Sequence, residues 1–260
     1  MPTGSASRSS GTPRPVTALK ESMKKSAYLK IASSARLQTT DTSSQNFFFP
    51  CSSALPMARP QPQKRRIVKI IRNSNSTIVQ GSCNVEVDSI CCDSRKVSQG
   101  ALFVAVKGFA SDGHDYISLA ISKGARVIMY EDQQALERQN IHFDELDGIV
   151  LVKTESSRHS LAIAASNFYG NPSEKLKLVG ITGTNGKTTT VTLLHRMFTA
   201  MGYNCGLLST IANYVGNRGS EAVNTTSDPI TINSMLAQMV DAGCEYCFME
   251  VSSIGVEQSR

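Results

Sequence analysis

The sequence predicts an α/β fold made of two successive units, and three observations carry that prediction. Short apolar runs of strand character alternate with helical spacing through residues 85–172, a pattern that builds a sheet flanked by helices. The run Leu176–Ile181 ends in a Gly-rich turn that closes on Lys187-Thr188 and opens into the helically spaced Val191–Phe198. A third apolar strand, Tyr246–Val251, carries Glu250 near its carboxyl end. Together these imply a small α/β domain followed by the first part of a P-loop α/β domain.

The first 72 residues stand apart. They hold 13 Lys/Arg against 2 acidic residues, a net +11, whereas residues 73–260 hold 14 against 19, a net −5. The overall charge of +6 is thus a property of the tail, and nucleic-acid binding by the folded part is not expected. Rich in Ser, Thr, Pro, Arg and Lys, the tail cannot bury enough apolar surface to offset its ordering entropy, so residues 1–72 are expected to be disordered. A transit-like targeting segment, a basic arm around Lys64-Arg65-Arg66 and an upstream extension absent from the working protein all fit it. No apolar run approaches the roughly 18 residues a membrane span needs. The seven cysteines are odd in number, and the single pair Cys244-Glu-Tyr-Cys247 repeats no metal spacing. They read as small apolar core residues of a protein in a reducing cytoplasm, with organellar targeting left open by the tail.

The first folded unit is expected over residues 73–172. Val85–Ile90 alternates in period two and leads into the polar cluster Asp93-Ser94-Arg95; Ala101–Val106 is a buried strand. Two glycines bracket the loop Lys107–His114, a helix follows over Asp115–Lys123 and stops at Gly124, and strands are expected at Arg126–Tyr130 and Gly148–Val152. A helix from Ser156 to Tyr169 ends at Gly170-Asn171-Pro172, the expected boundary. Loops at strand ends of open α/β sheets often bind ligands, but the residue types here are equally those of ordinary turns.

The second unit, residues 173–260, contains the chemistry. In the stretch Gly180-Ile-Thr-Gly-Thr-Asn-Gly-Lys-Thr-Thr189, glycines let backbone N–H groups curl around an anion, and the following helix adds the positive end of its dipole. Gly183, Thr184, Asn185, Gly186, Lys187, Thr188 and Thr189 are therefore candidate ATP-binding residues, with Lys187 reaching the β/γ-phosphates and the Thr188 hydroxyl holding Mg²⁺. The strict pattern G-x-x-x-x-G-K-[ST] would place glycine where this chain has Ile181. Strands at Cys205–Thr210 and Ile211–Val215 come next, then a helix starting at Asp228-Pro229 and closing at Gly243. Glu250, at a strand end downstream of the phosphate loop, fits a metal- or water-holding acid of a phosphoryl-transfer site, making Lys187 and Glu250 the candidate catalytic pair and Thr188 and Glu250 the candidate metal ligands.

Residues 180–189 resemble the ATP loop of the Mur ligase family, which shares the departure at position 181. Residues 93–105 (Asp-Ser-Arg-Lys-Val-x-x-Gly-x-Leu-Phe-Val-Ala) and 107–117 (Lys-Gly-x-x-x-Asp-Gly-x-x-Tyr-Ile) resemble that family's UDP-binding N-terminal domain. Asn224-Thr-Thr-x-Asp-Pro229 and Met249-Glu-Val-Ser-Ser253, with Arg260 beyond, are similar to the MurE-type branch. The resemblance covers about residues 80–260. It implies an ATP- and Mg²⁺-dependent amide ligase of peptidoglycan precursor synthesis that adds the third amino acid, meso-diaminopimelate or L-lysine, to UDP-N-acetylmuramoyl-L-alanyl-D-glutamate. On that resemblance Ser94, Phe109, Ala110 and Ser111 contact the uridine nucleotide, and Thr225, Thr226, Ser252 and Arg260 the muramoyl-dipeptide end. Domain 73–172 becomes the UDP-substrate domain and 173–260 an incomplete ATP-binding domain, of a protein expected to be monomeric at full length and to need neither membrane nor nucleic acid.

Two departures bear on this. Family members usually read Glu-Val-Ser-Ser-His, whereas this chain has Ile254. The family's ATPase domain also continues with an Asn…Asp-His segment and a carbamylated lysine, and a third domain binds the incoming amino acid. The chain is therefore expected to be an N-terminal part that does not ligate alone, with a half-sheet exposing an unpaired edge and apolar surface. A non-catalytic nucleotide-binding relative is the alternative of a different class. A folylpolyglutamate- or cyanophycin-synthetase-type ligase is the alternative enzyme, and residues 93–117 speak against it.

Overall fold

The apolar runs assemble into two five-stranded sheets, one in each half of the folded chain. A computed structural model describes residues 64–108, 111–139, 141, 146–222 and 227–259. These described residues fall within the unit formed by residues 51–260.

In the first sheet the strand order is β2-β7-β6-β5-β4, with β2 Ser76–Gln80, β4 Ser89–Cys91, β5 Ala101–Val104, β6 Ala125–Tyr130 and β7 Val150–Thr154. Strands β4 to β7 are mutually parallel and β2 runs antiparallel to β7. Every residue of β5 is buried, because helices cover both faces. Leu102 and Val104 point with Val127, Met129 and Val152 toward α1 (Ile67–Ile70) and α4 (Ser157–Tyr169). Phe103 points the other way, with Ile128, Tyr130 and Leu151, toward α2 (Ile117–Ser122) and α3 (Gln133–Arg138). The period of two along one apolar strand thus feeds two cores. Ser156 starts α4 by accepting the His159 N–H, and Gly170 ends it at φ +78°, a left-handed position that glycine adopts without a Cβ penalty.

The second sheet has the order β11-β10-β9-β12-β8, with β8 Lys177–Ile181, β9 Cys205–Leu208, β10 Ala212–Val215, β11 Arg218–Glu221 and β12 Tyr246–Glu250. Strands β8, β12 and β9 are parallel; β10 runs antiparallel to β9, and β11 pairs antiparallel with β10 at the outer edge. Phe248 and Leu207 pack toward α5 (Lys187–Ala200), where Phe198 meets Phe248 at 5.1 Å between ring centroids. Cys247 and Met249 pack on the opposite face toward Met235, Leu236 and Met239 of α6 (Pro229–Asp241). Asp228 caps α6 by accepting from the N–H groups of Ile230 and Thr231, as Asp before Pro at a helix start leads one to expect. A last short helix, α7, spans Ser253–Glu257.

Three sequence expectations need correction. Residues 64–72, assigned to a disordered tail, belong to the folded body. Arg65–Arg66 form β1, paired antiparallel with Glu86–Val87 (β3), and Ile67 and Ile70 are fully buried in the first core. Their two apolar side chains one helical turn apart were hidden by the surrounding basic residues. The alternating stretch Val85–Ile90 is not one strand but β3 and β4, separated at Asp88 and paired with different partners. Strands β2 and β11 were not foreseen; their half-exposed or polar side chains carry little apolar signal. Cys91, Cys205, Cys244 and Cys247 are buried, but Cys83 is exposed. Among the described residues β8 has one strand neighbour, β12, and Leu178, Leu193, Ile211, Ile254 and Val256 are exposed. No helix among the described residues is long and apolar enough to cross a membrane.

If Ile70 anchors the first core, Ile70→Ala should lower the unfolding free energy by about 2–4 kcal/mol. Urea denaturation of the full chain measures this, and a loss below about 0.5 kcal/mol would mean that residues 64–72 are peripheral.

Candidate active site

Parallel pairing of β8 with β12 brings Glu250 opposite Ile181, so the carboxylate stands beside the start of the phosphate loop. The chain leaves β8 at Ile181, and the Val251 N–H donates to the Ile181 carbonyl at 2.9 Å, which ties the two strand ends together. Gly183 and Gly186 hold φ of +144° and +82°, conformations that would strain any side-chain-bearing residue. Gly186 is the residue before α5 and offers no side-chain cap. Free N–H groups at a helix start with a left-handed glycine before it form an anion cradle. Lys187 folds back over this loop, its Nζ donating to the Gly183 carbonyl at 2.7 Å.

Thr188, in the first turn of α5, donates its hydroxyl to Glu250 Oε2 at 3.0 Å. Glu250 is only 1% exposed, and a buried carboxylate is costly unless it is hydrogen-bonded. The bonds are present: the Thr210 N–H donates to Oε1 at 2.8 Å and the Thr210 hydroxyl to Oε2 at 3.2 Å. Thr210, two residues past the end of β9, was read from sequence only as a strand residue. A hydroxyl-bearing residue two positions past a buried parallel strand next to the phosphate loop is the signal that would have found it. Thr188 and Glu250 present hard oxygen donors about one hydrogen bond apart, which fits an octahedral oxygen-liking cation such as Mg²⁺.

The structure thus joins Gly183, Gly186, Lys187, Thr188 and Glu250 into one site, with Thr184, Asn185 and Thr189 on the same loop and helix start. Ser252 lies next to Glu250 and accepts the Gly255 N–H at 3.0 Å, capping α7. Ile254 is exposed on that helix. Thr225, Thr226 and Arg260 lie outside the described residues.

Ser94 and Ser111 stand on the first sheet, after β4 and after β5, at the carboxyl edge of adjacent parallel strands. That edge is where ligands bind in open α/β sheets. Ser94, 8% exposed, opens a 3₁₀ turn capped by Asp93. The bond to the Arg95 guanidinium holds the Asp93 carboxyl below its ordinary range, and Lys123 Nζ donates to the Ser94 carbonyl at 3.1 Å. Ser111 is exposed, and its carbonyl accepts the Gly108 N–H at 3.0 Å. Phe109 and Ala110 lie outside the described residues. The start of α6 reaches toward this edge: burial pushes the Cys92 thiol up to about 11, and the Asp228 carboxylate adds to the rise.

The fold and the site define an α/β nucleotide-binding protein with a phosphate loop and an adjacent buried acid. Comparison with known proteins makes this particular. The profile described as "Mur ligase family, catalytic domain" matches residues 86–169, and that described as "Mur ligase middle domain" matches 181–260. The chain belongs to the Mur ligase family. The protein named UDP-N-acetylmuramoyl-L-alanyl-D-glutamate–2,6-diaminopimelate ligase from Cytophaga hutchinsonii is 48% identical over 182 residues, which is 70% of this chain and 36% of that protein. Its namesake from Parabacteroides distasonis is 47% identical over 183 residues, with 70% and 36% covered. A solved structure of a ligase of the same name superimposes with a TM-score of 0.59 at 18% identity, covering 76% of this chain and 38% of that one; at this identity the likeness concerns the fold. The chain spans a little over a third of the length of the curated relatives it matches.

Replacing Glu250 with Gln preserves volume and an acceptor while removing the charge. E250Q is expected to fold normally and to lose about tenfold or more of Mg²⁺-dependent nucleotide affinity. Titration calorimetry with and without Mg²⁺ measures this, and an unchanged Mg²⁺ dependence would remove Glu250 from the metal site.

Proposed function

We propose that this chain supplies the UDP-substrate-binding domain and the phosphate-loop part of an ATP-dependent ligase that adds meso-diaminopimelate to UDP-N-acetylmuramoyl-L-alanyl-D-glutamate. The observation that carries the reading is the junction of Lys187, Thr188 and the buried Glu250 at one sheet edge, in a chain whose Ser94 turn and 107–113 loop occupy the strand-end edge of a second sheet. Relatives named for diaminopimelate addition favour that amino acid over lysine.

In this reading the γ-phosphoryl group of ATP passes to the D-glutamate carboxylate, ADP leaves, and the amine attacks the acyl phosphate with loss of phosphate. The chain's own part is positioning and charge neutralisation. Lys187 would exchange the Gly183 carbonyl for phosphate oxygens, and the loop N–H groups would hold the remaining oxygens. Thr188 and Glu250 would hold Mg²⁺, which supplies charge neutralisation between the phosphates when bound. Ser94, Phe109, Ala110 and Ser111 would bind the uridine nucleotide, while Thr225, Thr226, Ser252 and Arg260 would face the muramoyl-dipeptide end. The exposed Ile254 favours a second reading, a relative that binds both nucleotides without turnover, because it offers no imidazole at the edge of the site.

Titrating the full chain with ATP and, separately, with UDP-N-acetylmuramoyl-L-alanyl-D-glutamate tests the proposal. Both should bind, and Lys187→Met should weaken ATP by about tenfold or more while leaving the uridine ligand within about twofold. Binding of ATP with no affinity for the uridine ligand would redirect the assignment to another amide ligase of this superfamily.

A further inference from the structure

The loop between β5 and α2 is braced by a circuit of hydrogen bonds that closes on itself. Its two stems form a narrow hairpin: Lys107 bridges Asp112, the Gly108 N–H donates to the Ser111 carbonyl, and the Gly113 N–H donates to the Val106 carbonyl. A Cβ at Gly113 would fall 2.7 Å from the Val106 backbone, so only glycine permits this closure. From Lys107 the circuit passes to α4, because Arg158 donates to the Lys107 carbonyl through Nη2 at 2.6 Å and Nε at 3.2 Å. The next residue back, Ser157, donates its N–H to Glu131 Oε2 at 2.7 Å. The Glu131 N–H in turn donates to His114 Nε2 at 3.1 Å, joined by the Asp132 N–H at 3.3 Å. His114 Nδ1 then meets Asp112 Oδ1 at 2.6 Å, which returns the circuit to the loop.

The His114 ring is fully buried. Two backbone N–H groups point at Nε2, so that nitrogen accepts, and the ring proton sits on Nδ1, donating to the Asp112 carboxylate. This side chain therefore has a specified tautomer and joins the loops after β5 and β6. Asp112 also caps the 3₁₀ turn Gly113–Tyr116, and Gln139 donates to the His114 carbonyl from beyond α3. Such bracing exceeds what an ordinary surface turn needs.

We propose that His114 and Arg158 are positioning residues for a uridine nucleotide: they touch no ligand but hold the two stems of the loop, residues 107–108 and 111–113, through Asp112 and the Lys107 carbonyl. This rests on the reading of the first domain given above. Four proteins are compared for UDP and for ADP with Mg²⁺ by titration calorimetry, each as the full chain. H114F keeps a ring but removes both nitrogens and should bind UDP about tenfold or more weakly; H114Q keeps one donor and one acceptor and should stay within about threefold. R158M, at a half-exposed position, should lose about fivefold, and ADP affinity should stay within about twofold in every variant. Nitrogen-15 spectra of the unaltered chain should place the His114 proton on Nδ1. Should H114F fail to fold, R158M and the tautomer decide: equal UDP binding by R158M, or a proton on Nε2, overturns the proposal. If the unaltered chain and all variants bind UDP equally, His114 and Arg158 lose their role while the uridine reading stands. If the unaltered chain does not bind UDP, both fall together.

Discussion

A carboxylate buried at the end of a parallel strand sets the terms for the second half of this molecule. Glu250 sits at the end of β12, accepts from Thr188 at the start of α5, and accepts twice from Thr210 after β9. Three elements distant in sequence are thereby held to one point. The alternative, an unpaired buried charge, would cost several kcal/mol. Register follows from the same requirement. A one-residue slip of β12 against β8 would turn Glu250 into an apolar core and bring Met249 to the phosphate loop. The apolar side chains on β12 and the acid at its end therefore enforce the same pairing.

The first sheet solves a different problem. Its inner strands β5 and β6 are buried but for Arg126, and the polar chemistry is displaced to the loops at their carboxyl ends. Those loops are held by side chains reaching from elsewhere: Lys123 on the Ser94 carbonyl, Arg158 on the Lys107 carbonyl, His114 between the loops after β5 and β6. The two halves meet where α4 packs on α6. Ile230 touches the first core, and Ser234 hydrogen-bonds the Tyr169 side chain.

Much of this was legible in the amino-acid order. The phosphate loop, the helix after it, the strand bearing Glu250 and the Asp228-Pro229 helix start all have local causes: glycine conformations, an N-cap, a run of apolar residues. What escaped had causes that are distant in sequence. Ile67 and Ile70 find their core only when α4 arrives from nearly 100 residues away, and their basic neighbours masked them. Thr210 acquires its part from Glu250, and His114 from backbone groups at 131 and 132. Strand β2 is a half-exposed partner of β7, and β11 is an outer strand beyond β10; pairing alone makes either a strand.

The two edges share one design principle. In each, side chains brace a loop at the carboxyl end of parallel strands. At the phosphate loop the backbone N–H groups carry partial positive charge, and Lys187, resting on the Gly183 carbonyl, must give up one hydrogen bond to gain another. The exchange is favourable only for an acceptor carrying more charge than a carbonyl, and that selects phosphate over neutral ligands. At the 107–113 loop the described side chains act differently. The braces there point inward, Arg158 donating to the Lys107 carbonyl and the His114 ring to Asp112.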